Sequence, residues 1–149
     1  MTMIDGVLLT PLKIIPNIKG DILHALKASS PGFGGFGEVY FSTIKQGAIK
    51  GWKRHNRMSL NLVVPIGEVE FALKDSRKTG SSHGKFVTLK LGVEKNYQRL
   101  TIPPEIWVAF RGLSETNILM NILAEEHDPD ESDNLEIDSG SDPFLGFVE

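Results

Sequence analysis

An all-β sandwich or barrel is the fold class this sequence predicts, and three observations carry it. Glycine and proline are frequent, 15 and 8 among 149 residues, and they recur at short intervals along the chain. Between them lie short segments rich in β-branched and aromatic residues, several of which alternate apolar with polar side chains. Helical periodicity is weak. Short strands about ten residues apart, with turn chemistry between them, are the pattern of a sandwich or closed barrel.

Each element follows from its residues. Glu38–Ile44 (EVYFSTI) is aromatic and β-branched. Ser59–Val64 (SLNLVV) reads as a buried strand stopped by Pro65-Ile66-Gly67. Glu68–Leu73 and Lys85–Leu91 alternate charged with apolar residues, the period-two mark of a strand with one wet face. Lys74–Gly80 and Gly92–Asn96 have turn composition. Gln98–Ile102, Ile106–Phe110 and Asn117–Ala124 complete the set, and Asp21–Ala28 is either one short helix or extended. Ser29–Gly37 (SSPGFGGFG) is a glycine-rich loop holding two phenylalanines, which either order it by packing or leave it mobile.

Composition narrows the function. Hydrophobic content of 40% and charged content of 23% exclude wholesale disorder, and the length suits one domain, residues 1–149. No cysteine is present, which removes disulfide scaffolds, thiolate metal sites and a thiol nucleophile. The apolar runs are too short for a membrane span, and Met1–Asp5 lacks the basic and apolar regions of a signal peptide. A cytoplasmic protein without a membrane partner is expected.

The charge is split. From Glu125 onward there are ten acids and no Lys or Arg; removing those ten from the total of 19 leaves nine acids against 16 bases in residues 1–124. A body of net +7 therefore precedes a tail of net −10. The tail reads as a solvated block, with about 139–149 as an acidic extension, except that Pro143–Val148 (PFLGFV) is apolar and should dock somewhere, a partner subunit being one such place.

The strongest chemical feature is Lys50-Gly51-Trp52-Lys53-Arg54-His55-Asn56-Arg57. In an extended chain Lys53, His55 and Arg57 share one face. On a concave surface they would form a cationic pocket for phosphate or carboxylate; on an edge strand they would face water and blunt aggregation. The four histidines, His24, His55, His83 and His127, show neither H-x-H nor H-E-x-x-H spacing, so no metal site is expected. Pro31–Gly37 precedes a strand rather than a helix, which argues against a phosphate cradle, and there is no G-x-S-x-G elbow. Only Trp52 interrupts the basic cluster and the acidic tail would repel phosphodiesters, so nucleic acid is not an expected partner.

From about Gly20 to Asp142 the order of motifs resembles the dTDP-4-dehydrorhamnose 3,5-epimerase family, nucleotide-sugar enzymes with a cupin-like jelly roll. Lys50-Gly51-Trp52 stands where that family has Arg-Gly-Leu-His, and Lys74-Asp75-Ser76-Arg77 where it has Val-Asp-hydrophobic-Arg. Ser81–Phe86, Ile102-Pro103 and Leu113-Ser114 match further segments, and Asp128–Glu131 with Leu135–Asp138 resembles its closing acidic segment. The resemblance implies a double-stranded β-sandwich barrel, no cofactor, a nucleotide-sugar substrate, and a homodimer that trades an N-terminal strand. It also implies proton abstraction beside a ketone, by a histidine that an aspartate orients, with a lysine steadying the enolate and a tyrosine as acid.

Carried over residue by residue, the base position falls on Lys53, the orienting aspartate on Asp75, the lysine near Leu60 and the tyrosine at Glu126 or His127. The family's Ala-His-Gly-Phe becomes Trp107-Val108-Ala109-Phe110. The expected cast is therefore Lys53 or His55 as base, Asp75 as orienting group, and His127, His24 or Tyr97 as acid. Lys50, Arg57, His24, Arg77 and Trp107 are the expected substrate contacts. Crowding by Arg54, His55 and Arg57 would favour a neutral, basic Lys53. The expected function is an epimerase or isomerase of a dTDP-4-keto-6-deoxy sugar in deoxysugar or surface-polysaccharide biosynthesis, the alternative being an inactive cupin that binds a nucleotide sugar or serves as a structural or regulatory partner.

Overall fold

A computed structural model describes residues 3–137 and 140–146. The chain runs β1(Leu8–Pro11), β2(Ile14–Ile15), β3(Ile22–Leu23), β4(Glu38–Thr43), β5(Ile49–His55), β6(Leu60–Ile66), β7(Glu68–Asp75), β8(Phe86–Gly92), β9(Gln98–Ile102), β10(Ile106–Gly112) and β11(Ile118–Leu123). A short 3-10 helix, Pro129–Glu131, then leads into β12(Ser132–Asn134). Two five-stranded antiparallel sheets face each other, in the orders β1-β9-β6-β11-β4 and β12-β5-β10-β7-β8, with β2 and β3 as a separate pair. This is the jelly-roll sandwich expected from the sequence.

Alternation decides which residues meet between the sheets. Val69, Phe71 and Leu73 of β7, Leu89 and Leu91 of β8, Leu60 and Leu62 of β6, and Leu100 and Ile102 of β9 are buried in one cluster. Each fully buried aliphatic or phenyl side chain contributes about 1.5–3 kcal/mol of apolar transfer. A second cluster lies on the other face of β5 and β10, where Trp52, Ala72, Trp107 and Ala109 are covered by Phe86, Leu135, Ile137 and Phe144. Pro65 is tolerated in β6 because it sits where the β6–β11 register shifts, opposite the Ile118–Met120 stretch.

Several expectations are refined. Asp21–Ala28 is extended and contains β3; no helix forms there. The glycine-rich loop is ordered against the outer face of the first sheet, where Gly32 C=O accepts from Asn61 Nδ2 at 3.0 Å. Gly32 has φ +82, and a Cβ there would stand 2.7 Å from Thr101 Oγ1, so the loop can lie flat on the sheet only with glycine at that position. The acidic tail is not a plain solvated block: β12 adds to β5, and Phe144 packs under the Arg111 guanidinium, 4.3 Å from its ring centroid. The apolar end thus docks on its own chain as far as Phe144, while Leu145 is exposed and Val148 lies outside the described residues.

Candidate active site

Between β4, β6 and β11 on one side and β5, β10 and the tail on the other lies a cavity of about 370 Å³. Its lining includes Lys50, Lys53 and His55 of β5, Tyr40 and Ser42 of β4, Asn121 of β11 and Glu136 of the tail, over a floor that includes Leu60, Leu62, Val108 and Phe110. A concave, largely apolar space with a few converging polar groups is the usual form of a small-molecule site.

Three cationic or basic side chains share this wall because β5 bulges. Lys53 pairs with Val108 and Lys50 with Phe110, but Gly51 pairs with Ala109, so Trp52 is an extra residue and the register shifts there. Strict alternation would put Lys50 and Lys53 on opposite faces; the bulge brings both to the cavity. Gly51 permits it: φ is +128, and a Cβ would come within 2.7 Å of Ala109 Cα. Lys50 Nζ donates to Thr43 C=O at 2.8 Å, and among the described residues neither lysine is ion-paired.

His55 is buried, and its Nδ1 lies 2.5 Å from Glu131 Oε1. The other carboxylate oxygen accepts from the backbone N–H groups of Arg57, at 2.9 Å, and Met58, at 3.0 Å. Burial would push the Glu131 carboxyl up, but hydrogen bonds from His55 and those two amides outweigh it and hold it below its usual value. Glu131 therefore stays an acceptor, which fixes the proton of a neutral His55 ring on Nδ1 and leaves Nε2 as the basic nitrogen. Partial burial, reinforced by the neighbouring Glu38 carboxylate, pushes the Tyr40 phenol above its usual value, so it keeps its proton at neutral pH.

The expected residues divide sharply. Lys50, Lys53 and His55 come together. Asp75 does not join them: its carboxylate is held by Arg77 Nε at 2.9 Å and Ser82 Oγ at 2.5 Å, so it orients no base. Arg77 is committed to that pair and to Asp5 C=O. Arg57 lies past the end of β5 and pairs with Glu125 at 2.9 Å, not with the Lys53–His55 face. Trp107 points to the opposite side of its sheet, beneath Arg54 at 4.7 Å. His127 is exposed and outside the cavity lining, as is Glu126. His24 lines a separate cavity, and its carbonyl accepts from Tyr97 Oη at 2.9 Å, which takes both away from this site. Nor is Lys53 crowded as expected: Arg54 lies on the other face of β5 against Asp133, at 2.7 Å. Among the described residues no cluster of potential metal ligands forms.

Comparison with solved structures gives the family. A dTDP sugar isomerase from Desulfovibrio desulfuricans G20 is 34% identical, over 97% of this chain and 90% of that one, with a TM-score of 0.88. The chain belongs to the dTDP-sugar isomerase family. Two more distant structures share the fold. A 3,4-ketoisomerase from Thermoanaerobacterium thermosaccharolyticum, in complex with TDP-4-keto-6-deoxyglucose, is 20% identical over 87% of this chain and 88% of that one, with a TM-score of 0.73. A dTDP-6-deoxy-D-glucose-3,5-epimerase from Legionella pneumophila, in complex with dTDP-4-keto-L-rhamnose, is 20% identical over 98% and 79%, with a TM-score of 0.79. No family model matches the chain, and no curated protein does.

Sequence reasoning about this family member missed Glu131 and Tyr40. In the sequence Glu131 is marked only as part of the acidic closing segment. Its signal is Pro129, which starts a 3-10 helix capped by Asp128 and so turns one acid of the run inward. The strand that holds Tyr40 is legible, but nothing in EVYFSTI tells which of its faces meets a cavity.

Proposed function

We propose that this chain is an isomerase or epimerase that moves protons next to the ketone of a dTDP-keto sugar, and the observation that carries the proposal is the His55–Glu131 dyad in the wall of a cationic cavity. His55 Nε2 takes the proton from the carbon beside the ketone, and Glu131 stabilises the imidazolium that results. The electron pair moves onto the ketone oxygen, and the ammonium of Lys53 stabilises that enolate. Tyr40, protonated at neutral pH, is the proton donor. Lys50 supplies positive charge for the diphosphate. Return of a proton to the same carbon from the opposite face gives an epimer; delivery to the former carbonyl carbon, with the adjacent hydroxyl proton passing to the former carbonyl oxygen, shifts the ketone.

The reading includes a homodimer working in the cytoplasm, in deoxysugar or surface-polysaccharide biosynthesis. Support for the dimer comes from β4, a sheet-edge strand with Val39, Tyr40 and Phe41 exposed, Phe41 at 64%. A monomer mass by light scattering would count against it. No helix of the described residues is long and apolar enough to cross a membrane.

The decisive experiment is solvent-deuterium incorporation into a dTDP-4-keto-6-deoxy sugar, followed by NMR, with His55→Asn as control. Wild type is expected to label a carbon next to the ketone and the variant to lose roughly 10³-fold in rate. Nucleotide-sugar binding without any exchange would make the protein a binding module; exchange surviving in the variant would remove His55 as base.

A further inference from the structure

The outer face of the first sheet carries a polar cluster that the proposed reaction does not use. Arg99 of β9 is 1% exposed, yet no carboxylate pairs with it among the described residues. Its Nε donates to Asn61 Oδ1 at 3.1 Å, and its terminal nitrogens donate to the carbonyls of Ala25 at 2.9 Å and Pro31 at 2.8 Å. Asn61 Oδ1 is held in turn by Thr101 Oγ1 at 2.6 Å. A guanidinium has five N–H donors, so these three bonds leave two for something else.

Those three acceptors are neutral, and a buried charge facing only neutral dipoles is poorly compensated. Burial lowers the Arg99 pKa from its ordinary value, which reports the same cost. The residue forms part of the wall of a second cavity of about 310 Å³, with Lys13, His24, Lys27, Ser29 and Ser30 around it. Among the described residues no acid lines this space. Lys13 and Lys27 are exposed at its rim, and among the described residues neither is ion-paired. A concave site with the Arg99 fork in its wall, two exposed ammonium groups and serine hydroxyls has the donor set for a tetrahedral oxyanion.

We propose that this cavity, built on Arg99, Lys13 and Lys27, is a phosphate-binding site separate from the cavity of His55. Its ligand is the phosphate group of a small molecule, either the free ion or the diphosphate end of a nucleotide. Because Arg99 clamps Ala25 and Pro31, and Asn61 clamps Gly32, occupancy would also hold the glycine-rich loop on the sheet.

The test is a 31P NMR titration with inorganic phosphate and, separately, with dTDP, on the wild type and two double variants. Lys13→Ala/Lys27→Ala alters exposed residues only and is expected to weaken phosphate binding about tenfold, or 1.4 kcal/mol. Lys50→Ala/Lys53→Ala is expected to leave phosphate binding intact while weakening nucleotide-sugar binding. A dTDP stoichiometry of two per chain in wild type, falling to one in the Lys13/Lys27 variant, would name the nucleotide as the source; phosphate binding with a single dTDP site would name the free ion. The proposal is overturned if wild type binds no phosphate, or if Lys13→Ala/Lys27→Ala leaves phosphate affinity unchanged, or if Lys50→Ala/Lys53→Ala abolishes it. These outcomes leave the deuterium-exchange test untouched, so the two readings can fail separately.

Discussion

The two faces of β5 carry the same kind of charge and put it to different uses. On the inner face Lys50 and Lys53 look into a cavity with no ion-pair partner among the described residues, and His55 meets a single buried carboxylate. On the outer face and just beyond the strand, Arg54 and Arg57 are neutralised by the tail, through Asp133 at 2.7 Å and through Glu125 and Asp128 at 2.9 and 3.6 Å. The charge split of the sequence is thus resolved inside one chain. The acidic tail folds back and cancels Arg54 and Arg57, while Lys50 and Lys53 keep their charge without an ion pair among the described residues. Uncancelled charge in a concave site is what attracts and orients an anion.

The largest effect should come from the buried contact of the tail with the inner face, Glu131 against His55. Glu131→Gln keeps an oxygen for the amides of Arg57 and Met58, but its NH2 group would donate to His55 Nδ1. That forces the imidazole proton onto Nε2, the nitrogen needed as base. We expect kcat to fall about 10³-fold with KM almost unchanged, and circular dichroism to stay native. A kcat within a few fold of wild type would break the dyad. Next in size is Lys53→Ala, for which loss of one enolate-stabilising charge should lower kcat/KM by about 10²-fold.

How much of this the sequence made legible depends on the range of the interaction. Strands such as Glu68–Leu73 and Lys85–Leu91 were readable because period-two alternation is written locally, and the cationic stretch was readable because its residues are consecutive. The bulge at Trp52 was not, since it depends on how closely Gly51 approaches Ala109 across the sheet, and without it Lys50 belongs to the wrong face. The His55–Glu131 pairing joins residues 76 apart and rests on β12 adding to β5, a three-residue strand too short and polar to show a pattern. Asp75 misled for the converse reason. Its match to a motif was sound as text, but Arg77, two residues on, takes its carboxylate.

Asp75 supplies the third prediction, one of stability rather than turnover. Although burial acts to raise it, bonds from Arg77 and Ser82 hold its carboxyl at about 2, below the ordinary 3.8. The group therefore contributes stability that is complete above about pH 4 and is lost as pH falls through about 2. The difference corresponds to about 2 kcal/mol, so Asp75→Asn should lower Tm by roughly 4–8 °C at pH 7. The gap to wild type should close in acid. Deuterium exchange at a temperature where both are folded should be unchanged, whereas a selective loss of exchange would return Asp75 to the catalytic cast.

The smallest effect belongs to Arg54, and it tests the comparison most directly because Arg54 adjoins Lys53 and carries the same charge. Its guanidinium is half-buried, bonded to Asp133 Oδ2 and stacked over Trp107. Exposed ion pairs contribute little and are screened by salt, and a cation–π contact at such a site contributes about 0.5–1 kcal/mol. Arg54→Ala should therefore cost no more than about that much stability and leave kcat/KM within about twofold of wild type, with the Tm difference shrinking at high salt. If Arg54→Ala instead matched Lys53→Ala in activity, position on the strand would not decide which cations serve the cavity. Charge in the neighbourhood, regardless of face, would then be the governing quantity, and the tail's cancellation of the outer face would have no functional meaning.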